Sequence, residues 1–333
     1  MQSGSILSNS ALQGEELEEV DRCLFCGQDE IVPELEGVRD HFFKCDGGEF
    51  SLHRCENCRS LVLSPRPFGQ RLKDAYSSYY THSTPADVKP STFKGRLKDA
   101  YIRDRFGSAA SLIQKAGSAL YALLAPDTDQ TDAYLRFTPA APARILDFGC
   151  GNGEYLLRMK GFGHDVTGVD FDDQALDQLR PSGIAAYSAD DIDEVDWEQS
   201  FDHVTLSHVI EHVPAPSDLL KRLYSWTRPG GTLFLEVPNA LATGLSVFGT
   251  YWRGLEAPRH FSLPSPDGLT RSLEEAGYSI EKRIVRQGVR EWVWNDSLAA
   301  LPKAKQEAAR EKIQSAPAQD HFNAEFLTFL CRR

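Results

Sequence analysis

Two cysteine pairs and one glycine series carry much of the chemistry written in this chain. Cys23-Leu-Phe-Cys26 and Cys55-Glu-Asn-Cys58 are C-x-x-C knuckles separated by 28 residues. Each knuckle can place two thiolates on one ion, and together they complete the tetrahedral four-sulfur set that zinc prefers. Such a closed site has no open coordination position, so its expected role is structural; Cys45 and His53 are the alternative ligands. The insertion between the knuckles is expected to form a hairpin of His41–Cys45 and Phe50–Arg54, turning at Asp46–Gly48. Asp147-Phe-Gly-Cys-Gly-Asn-Gly153 sets Gly149, Gly151 and Gly153 at alternate positions between an apolar run and a helical pattern. Glycine lets the backbone turn sharply and approach a ligand closely. The free amides of the following helix start favour an anionic group. A dinucleotide site usually spaces its glycines G-x-G-x-x-G. Here they alternate, and Asp147 leads them.

Further along, Asp165-Val-Thr-Gly-Val-Asp170 ends in an acid roughly 20 residues past the glycines, where a carboxylate reaches ribose hydroxyls. His208-Val-Ile-Glu-His212 spells the H-x-x-E-H string of some zinc proteases. That chemistry needs one continuous helix, and this segment leaves a strand and runs at once into Pro214 and Pro216. The carboxyl edge of an open α/β sheet faces its ligand. His208, Glu211 and His212 are therefore expected near the reacting group. His208 is the first choice of general base, since an imidazole near neutrality can take a hydroxyl proton. Tyr251-Trp-Arg-Gly-Leu-Glu-Ala-Pro-Arg-His-Phe261 gathers aromatics and cations in one loop. Arg253 and Arg259 are expected to hold an acceptor diphosphate or carboxylate. Trp252 is expected to stack on a flat face of the acceptor, with His260 beside it.

The elements that position these groups follow from apolar periodicity. Strands are expected at residues 143–146, 165–170, 184–187, 201–206 and 232–239, each running into one of the motifs. This order resembles class I S-adenosylmethionine (SAM) methyltransferases over residues 143–239. The resemblance implies a Rossmann-like seven-stranded sheet in the order 3-2-1-4-5-7-6. Tyr278–Val285 and Phe322–Cys331 would form its final antiparallel hairpin, with one helix, Leu298–Ile313, between them. It also implies SAM as cofactor, held by Asp147, Gly149, Gly151, Gly153 and Asp170. Asp190 or Asp191 would take the adenine amino group, and Ser207 would complete the set. The zinc knuckle, the run Leu61-Val-Leu-Ser-Pro-Arg-Pro67 and the tyrosines after it resemble the N-terminal module of some bacterial sugar methyltransferases. Those enzymes act on nucleotide-activated sugars or surface glycans. By that resemblance Tyr76, Tyr79 and Tyr80 are acceptor contacts.

The chain of 333 residues has room for a large domain plus an appendage. The expected division is a polar tail (1–20), a zinc module (21–70), a helical linker or lid (71–140) and the methyltransferase domain (141–333). In the linker, Ala110–Leu124 is expected to pack through Leu112, Ile113, Ala116, Leu120, Leu123 and Leu124. A net charge of −12 argues against a nucleic-acid partner, which usually meets a basic surface. No apolar run approaches the ~18 residues of a membrane helix, and no secretory leader is evident, so a cytoplasmic enzyme is expected. Its expected partner is a small-molecule acceptor, foremost a sugar hydroxyl or carbon. The rivals are a ribosomal RNA base methyltransferase with a zinc finger, a quinone or phenol O-methyltransferase, and a non-catalytic module that keeps the fold. Oligomeric state has no signal in the sequence.

Overall fold

The computed structural model describes residues 16–44, 48–76, 92–108, 110–125 and 128–333. Tyr79, Tyr80 and the alternative ligand Cys45 lie outside the described residues. The N-terminal part contains β1 (Leu17–Glu18), β2 (Ile31–Val38), β3 (Phe50–Cys55), β4 (Leu61–Leu63) and β5 (Arg66–Pro67). β3 pairs antiparallel with β2 on one side and β4 on the other. The partner of β3 is thus Ile31–Val38 rather than the expected His41–Cys45. Asp40 explains the difference. Its Oδ1 accepts from the amides of Phe42 and Phe43 at 3.1 and 2.8 Å, a side-chain turn that ends the extended chain there.

Among the described residues four helices follow: α1 (Gly69–Tyr76), α2 (Phe93–Phe106), α3 (Leu112–Leu124) and α4 (Asp129–Tyr134). α3 opens with a reciprocal capping box between Ser111 and Gln114. It packs through Tyr121, whereas Leu112, Ile113, Leu123 and Leu124 are exposed, contrary to the expected core role. The ring of Tyr121 lies 5.2 Å from that of Tyr101 on α2, which fixes the face α3 turns inward.

The remainder alternates strand and helix: β6 (Arg144–Phe148), α5 (Glu154–Phe162), β7 (Asp165–Asp170), α6 (Asp173–Leu179), β8 (Ala185–Ser188), β9 (Phe201–Ser207), α7 (Pro216–Trp226) and β10 (Thr227–Pro238). Then come α8 (Thr243–Phe248), β11 (Ser262–Leu263), α9 (Pro266–Ala276), β12 (Ser279–Ile284), α10 (Val289–Ala300), α11 (Lys303–Gln314) and β13 (Phe326–Arg332). The seven-stranded sheet runs β12-β13-β10-β9-β6-β7-β8, and β13 is antiparallel to both its neighbours. Read from the other edge, this is the expected order 3-2-1-4-5-7-6. The single helix expected at Leu298–Ile313 is two, because Pro302 lacks the amide that would continue α10.

β11 does not join the large sheet. It pairs with β4, Ser262 opposite Val62 and Leu263 opposite Leu61, so the order of the small sheet is β11-β4-β3-β2. Cys23, Phe25, Cys55 and Cys58 share one apolar cluster with Leu269 and Leu273 of α9. The cysteine module is therefore stitched into the sheet domain by a strand and by core packing. Among the described residues no helix is long and apolar enough to cross a membrane.

Candidate active site

β6 delivers the chain into the glycine loop. Gly149, Gly151 and Gly153 all have left-handed backbone, with φ of 79°, 51° and 71°. A side chain at Gly149 would collide with Val209, and one at Gly153 with Leu179. The loop therefore needs glycine for both conformation and space. Asp170, at the end of β7, accepts from the Gly151 amide through Oδ2 at 2.7 Å and from the Asp172 amide through Oδ1 at 3.0 Å. Burial raises its pKa, opposed by those amides. A carboxylate has about four acceptor sites, so both oxygens keep capacity for ribose hydroxyls.

Asp147 is almost fully buried. Its Oδ1 accepts from Arg136 Nη1 at 2.5 Å and from Thr205 Oγ1 at 2.6 Å; Thr205 is its neighbour across the β6–β9 register. Oδ2 is buried without a hydrogen-bond partner. Arg136 was not singled out by sequence reasoning. It has left-handed backbone and lies over the Tyr155 ring at 4.2 Å, bracing the loop from behind. A lone arginine before a proline-rich approach gives no signal of this. Asp190 and Asp191 are exposed at the end of β8, and Ser207 is half-buried at the end of β9. An open glycine loop, the helix start of α5 and a carboxylate on the next strand fit the cofactor that the motifs imply.

Beside this loop, past Val209, lies a pocket of about 220 Å³ lined by His208, His212, His260, Arg253, Glu256, Trp292 and Phe326, among others. His208 follows β9 with left-handed backbone, φ 55°, and its amide donates to the Glu236 carbonyl at 2.8 Å. Its Nδ1 stands 3.4 Å from Glu211 and its Nε2 3.7 Å from Glu236. Burial acts against charge on His208, but the two carboxylates outweigh it and lift its pKa to about 10. The ring still has 38% of its surface accessible. At neutral pH His208 therefore holds its proton, which differs from the neutral base expected.

His212 and His260 are held through their Nδ1 atoms. His212 Nδ1 lies 3.0 Å from the Arg259 carbonyl and 2.9 Å from the Tyr76 hydroxyl. A carbonyl only accepts, so a hydrogen sits on Nδ1 and Nε2 is the nitrogen left to face the pocket. His260 Nδ1 donates to the Gly254 carbonyl at 2.9 Å, with the same consequence. Burial and neighbouring positive charge hold the His260 pKa well below the usual value. Ile210–His212 is a single 3-10 turn, so His208 and His212 do not share a helix face as the protease string requires.

Several expected contacts fall elsewhere. Arg259 is fully buried, bonded to Asp40 at 3.0 Å and paired with Glu256 at 3.4 Å; its charge is spent inside the protein rather than on an acceptor. Trp252 is fully buried and donates to Glu325 at 2.7 Å, so it offers no face to the pocket. Trp292, half-exposed on α10, is the aromatic that lines it. Arg253 lines the pocket but is paired with Glu256. Tyr76 reaches both halves of the site: its ring is 4.8 Å from Phe171, next to Asp170, and its hydroxyl meets His212. Glu236 was missed, although an acid within the apolar run Leu233-Phe-Leu-Glu-Val237 is a visible signal.

The four knuckle sulfurs converge. Cys23 to Cys58 and Cys26 to Cys55 are each 3.5 Å apart, and all four lie within 4.8 Å of one another. A tetrahedron on ~2.3 Å zinc–sulfur bonds has edges of ~3.8 Å, so the set fits zinc. The module is tied to the pocket through residues 259–265. The Leu63 amide donates to the Phe261 carbonyl at 2.8 Å, and the Phe261 amide to the Glu211 carbonyl at 2.7 Å. A larger cavity, about 500 Å³, opens at the opposite end of the strands. Its cations Arg105, Arg228, Lys282 and Arg332 are paired with Asp132, Asp202, Asp129 and Glu281, and it is remote from the glycine loop.

Residues 118–283 match the family model described as a methyltransferase domain. The matched segment spans α3 through most of β12 and so contains both the glycine loop and most of the pocket. Among curated proteins the chain is similar to ubiquinone biosynthesis O-methyltransferases. It is 32% identical over 149 residues to that of Bordetella avium, covering 40% of this chain and 61% of the relative. It is 33% identical over 159 residues to that of Xanthomonas axonopodis pv. citri, covering 44% and 66%. The chain thus spans less than two thirds of those relatives' length. Solved structures similar to it include a SAM-dependent methyltransferase from Mesorhizobium loti, at 18% identity and TM-score 0.43, covering 61% of this chain and 98% of that one. Another is from Archaeoglobus fulgidus, at 21% identity and TM-score 0.41, covering 63% and 93%. The family match and the curated relatives support a SAM-dependent methyltransferase.

Proposed function

We propose that the chain transfers the methyl group of SAM to a hydroxyl of a small acceptor seated in the histidine pocket. The observation that carries this is the convergence of His208, His212 and His260 with Glu211, Glu236 and Glu256 beside the glycine loop. The sulfonium methyl is already activated, so the protein must hold the acceptor in line and provide for loss of its proton. The hydroxyl proton leaves into the histidine–carboxylate cluster. His212 and His260 turn their Nε2 atoms toward it, whereas protonated His208 orients Glu211 and Glu236. Asp170 takes the ribose, and Asp190 or Asp191 the adenine.

The favoured acceptor is a sugar hydroxyl. A pocket of about 220 Å³ takes a single ring, and its many polar groups with one exposed indole, Trp292, match a sugar's hydroxyls and its flatter face. A phenolic or quinol hydroxyl is the second reading, favoured by the names of the curated relatives and by Phe326 beside Trp292. The N-terminal cysteines hold a structural zinc that keeps the loop of His260 in place. Cysteines held on zinc and not in disulfides are in keeping with a cytoplasmic enzyme. The deciding experiment offers labelled SAM with a nucleotide-activated hexose and with a catechol. Label in the hexose supports the first reading, label in the catechol the second, and label in neither argues against both.

A further inference from the structure

The geometry points to a divalent-cation site, separate from the cysteine cluster, formed by Glu211, His212 and His260. One ligating atom from each of the three lies within 4.8 Å of the others. Glu211 is fully buried, and neither of its carboxylate oxygens has a hydrogen-bond partner. An ionised carboxylate taken out of water without donors is strongly disfavoured unless a positive charge faces it. Protonated His208 faces one of these oxygens, with Nδ1 3.4 Å from Oε1, but completes no hydrogen bond and leaves Oε2 without a donor.

Both imidazoles are prepared as ligands. His212 Nδ1 is directed at the Arg259 carbonyl and His260 Nδ1 at the Gly254 carbonyl. A carbonyl behind the ring fixes the tautomer and turns Nε2 outward, as in histidines that bind metal. His260 Nε2 lies 3.9 Å from Glu211 Oε1 and 3.8 Å from Glu256 Oε2. A lone pair and two carboxylate oxygens thus face one another. A tetrahedron on ~2.1 Å bonds has edges of ~3.4 Å, so seating an ion closes the His260–Glu211 pair by about 0.5 Å and no pair of the set by more than about 1.4 Å. Two histidines and one glutamate form the ligand set of open catalytic zinc sites. His212 and His260 both line the pocket, which leaves a coordination position toward the acceptor. This inference rests on the proposed function only for its use, and with the ion bound His212 and His260 serve as ligands instead of proton acceptors: a hydroxyl bound there becomes more acidic and gives its proton to water at the pocket mouth.

The test is cobalt titration of the full chain after metal removal under reducing conditions, with SAM affinity as the check on folding. The wild type should bind two equivalents of Co²⁺. One gives the sulfur-to-cobalt charge-transfer band of the cysteine site. The second gives only weak visible bands and shifts the ring-proton resonances of His212 and His260. Glu211→Gln and His260→Gln should each lose the second equivalent and keep the sulfur band. A wild type that binds one equivalent, or a Glu211→Gln protein that still binds two, would overturn the site. If a variant fails to fold, the wild-type count and the histidine shifts decide. Two equivalents without methyl transfer would leave the cation site standing and sink the acceptor reading. One equivalent with active transfer would do the reverse.

Discussion

Arg259 Nη1 donates to Asp40 Oδ2 at 3.0 Å, and both side chains are fully excluded from solvent. This pair locks the turn after β2 to the loop that carries His260. Removing Asp40 leaves buried Arg259 with Glu256 as its remaining carboxylate among the described residues, at the longer distance of 3.4 Å. Asp40→Ala should therefore lower stability by about 3 kcal/mol, measured by urea denaturation. The effect on acceptor affinity should exceed that on SAM affinity. A midpoint unchanged from wild type would show that the lock does not matter.

Asp170 braces the Gly151 amide and is the proposed ribose carboxylate. Asp170→Ala should weaken SAM binding by roughly ten- to a hundredfold, equal to about 1.4–2.7 kcal/mol. Calorimetry on the folded variant measures it directly. Unchanged affinity would remove this residue from the cofactor site.

Metal removal should separate the two halves of the site. The cysteine module is bonded to residues 261–265, through the Leu63–Phe261 contact and through Ser265 to Cys58, whereas the glycine loop rests on β6 and β7. Cys55→Ser should lose one equivalent of zinc and loosen the acceptor pocket, since binding energy in such modules is folding energy. SAM affinity should stay within about threefold, a difference of under 1 kcal/mol. Loss of SAM binding in parallel with zinc would contradict this division.

His203 sits fully buried in β9 with Nδ1 on Thr232 Oγ1 at 2.8 Å and Nε2 without a partner. Burial is the main cause that drives its pKa down to about 3. The unfolded chain takes up this proton near pH 6.5, the folded one only near 3, so between these values unfolding binds a proton. Stability should therefore fall as pH drops through that window, by up to about 1.4 kcal/mol per pH unit from this group. His203→Leu should flatten the dependence of denaturation midpoint on pH between 6 and 4 by about one proton's slope. An equal slope in both proteins would show that His203 is not the group responsible.

The sheet was legible because each strand is a short apolar run closed by a glycine, acid or proline signal, as in Ile145–Phe148 before Gly149. The pocket was legible only in part. His208, His212, Arg253 and His260 share it, with Glu211 buried behind His208, because loops at the carboxyl edge of one sheet converge. Arg259 and Trp252 stand in the same sequence cluster but face inward, since Asp40 and Glu325 supply buried partners from 219 and 73 residues away. Nothing local distinguishes an arginine that meets substrate from one that meets a distant aspartate. Arg136, Glu256 and Trp292 were missed for the same reason. The apolar residues of α3 show the converse: helical spacing revealed the helix but not the side it buries.

The most direct test of the account is methyl transfer by His212→Ala beside wild type, with labelled SAM and the hexose or catechol that wild type methylates. His212 meets Tyr76, lines the acceptor pocket and contacts no residue of the glycine loop in the bonds described above. The account predicts turnover lower by roughly a hundredfold or more, with SAM affinity within about twofold of wild type. A folded His212→Ala enzyme that transfers the methyl group at the wild-type rate would contradict it.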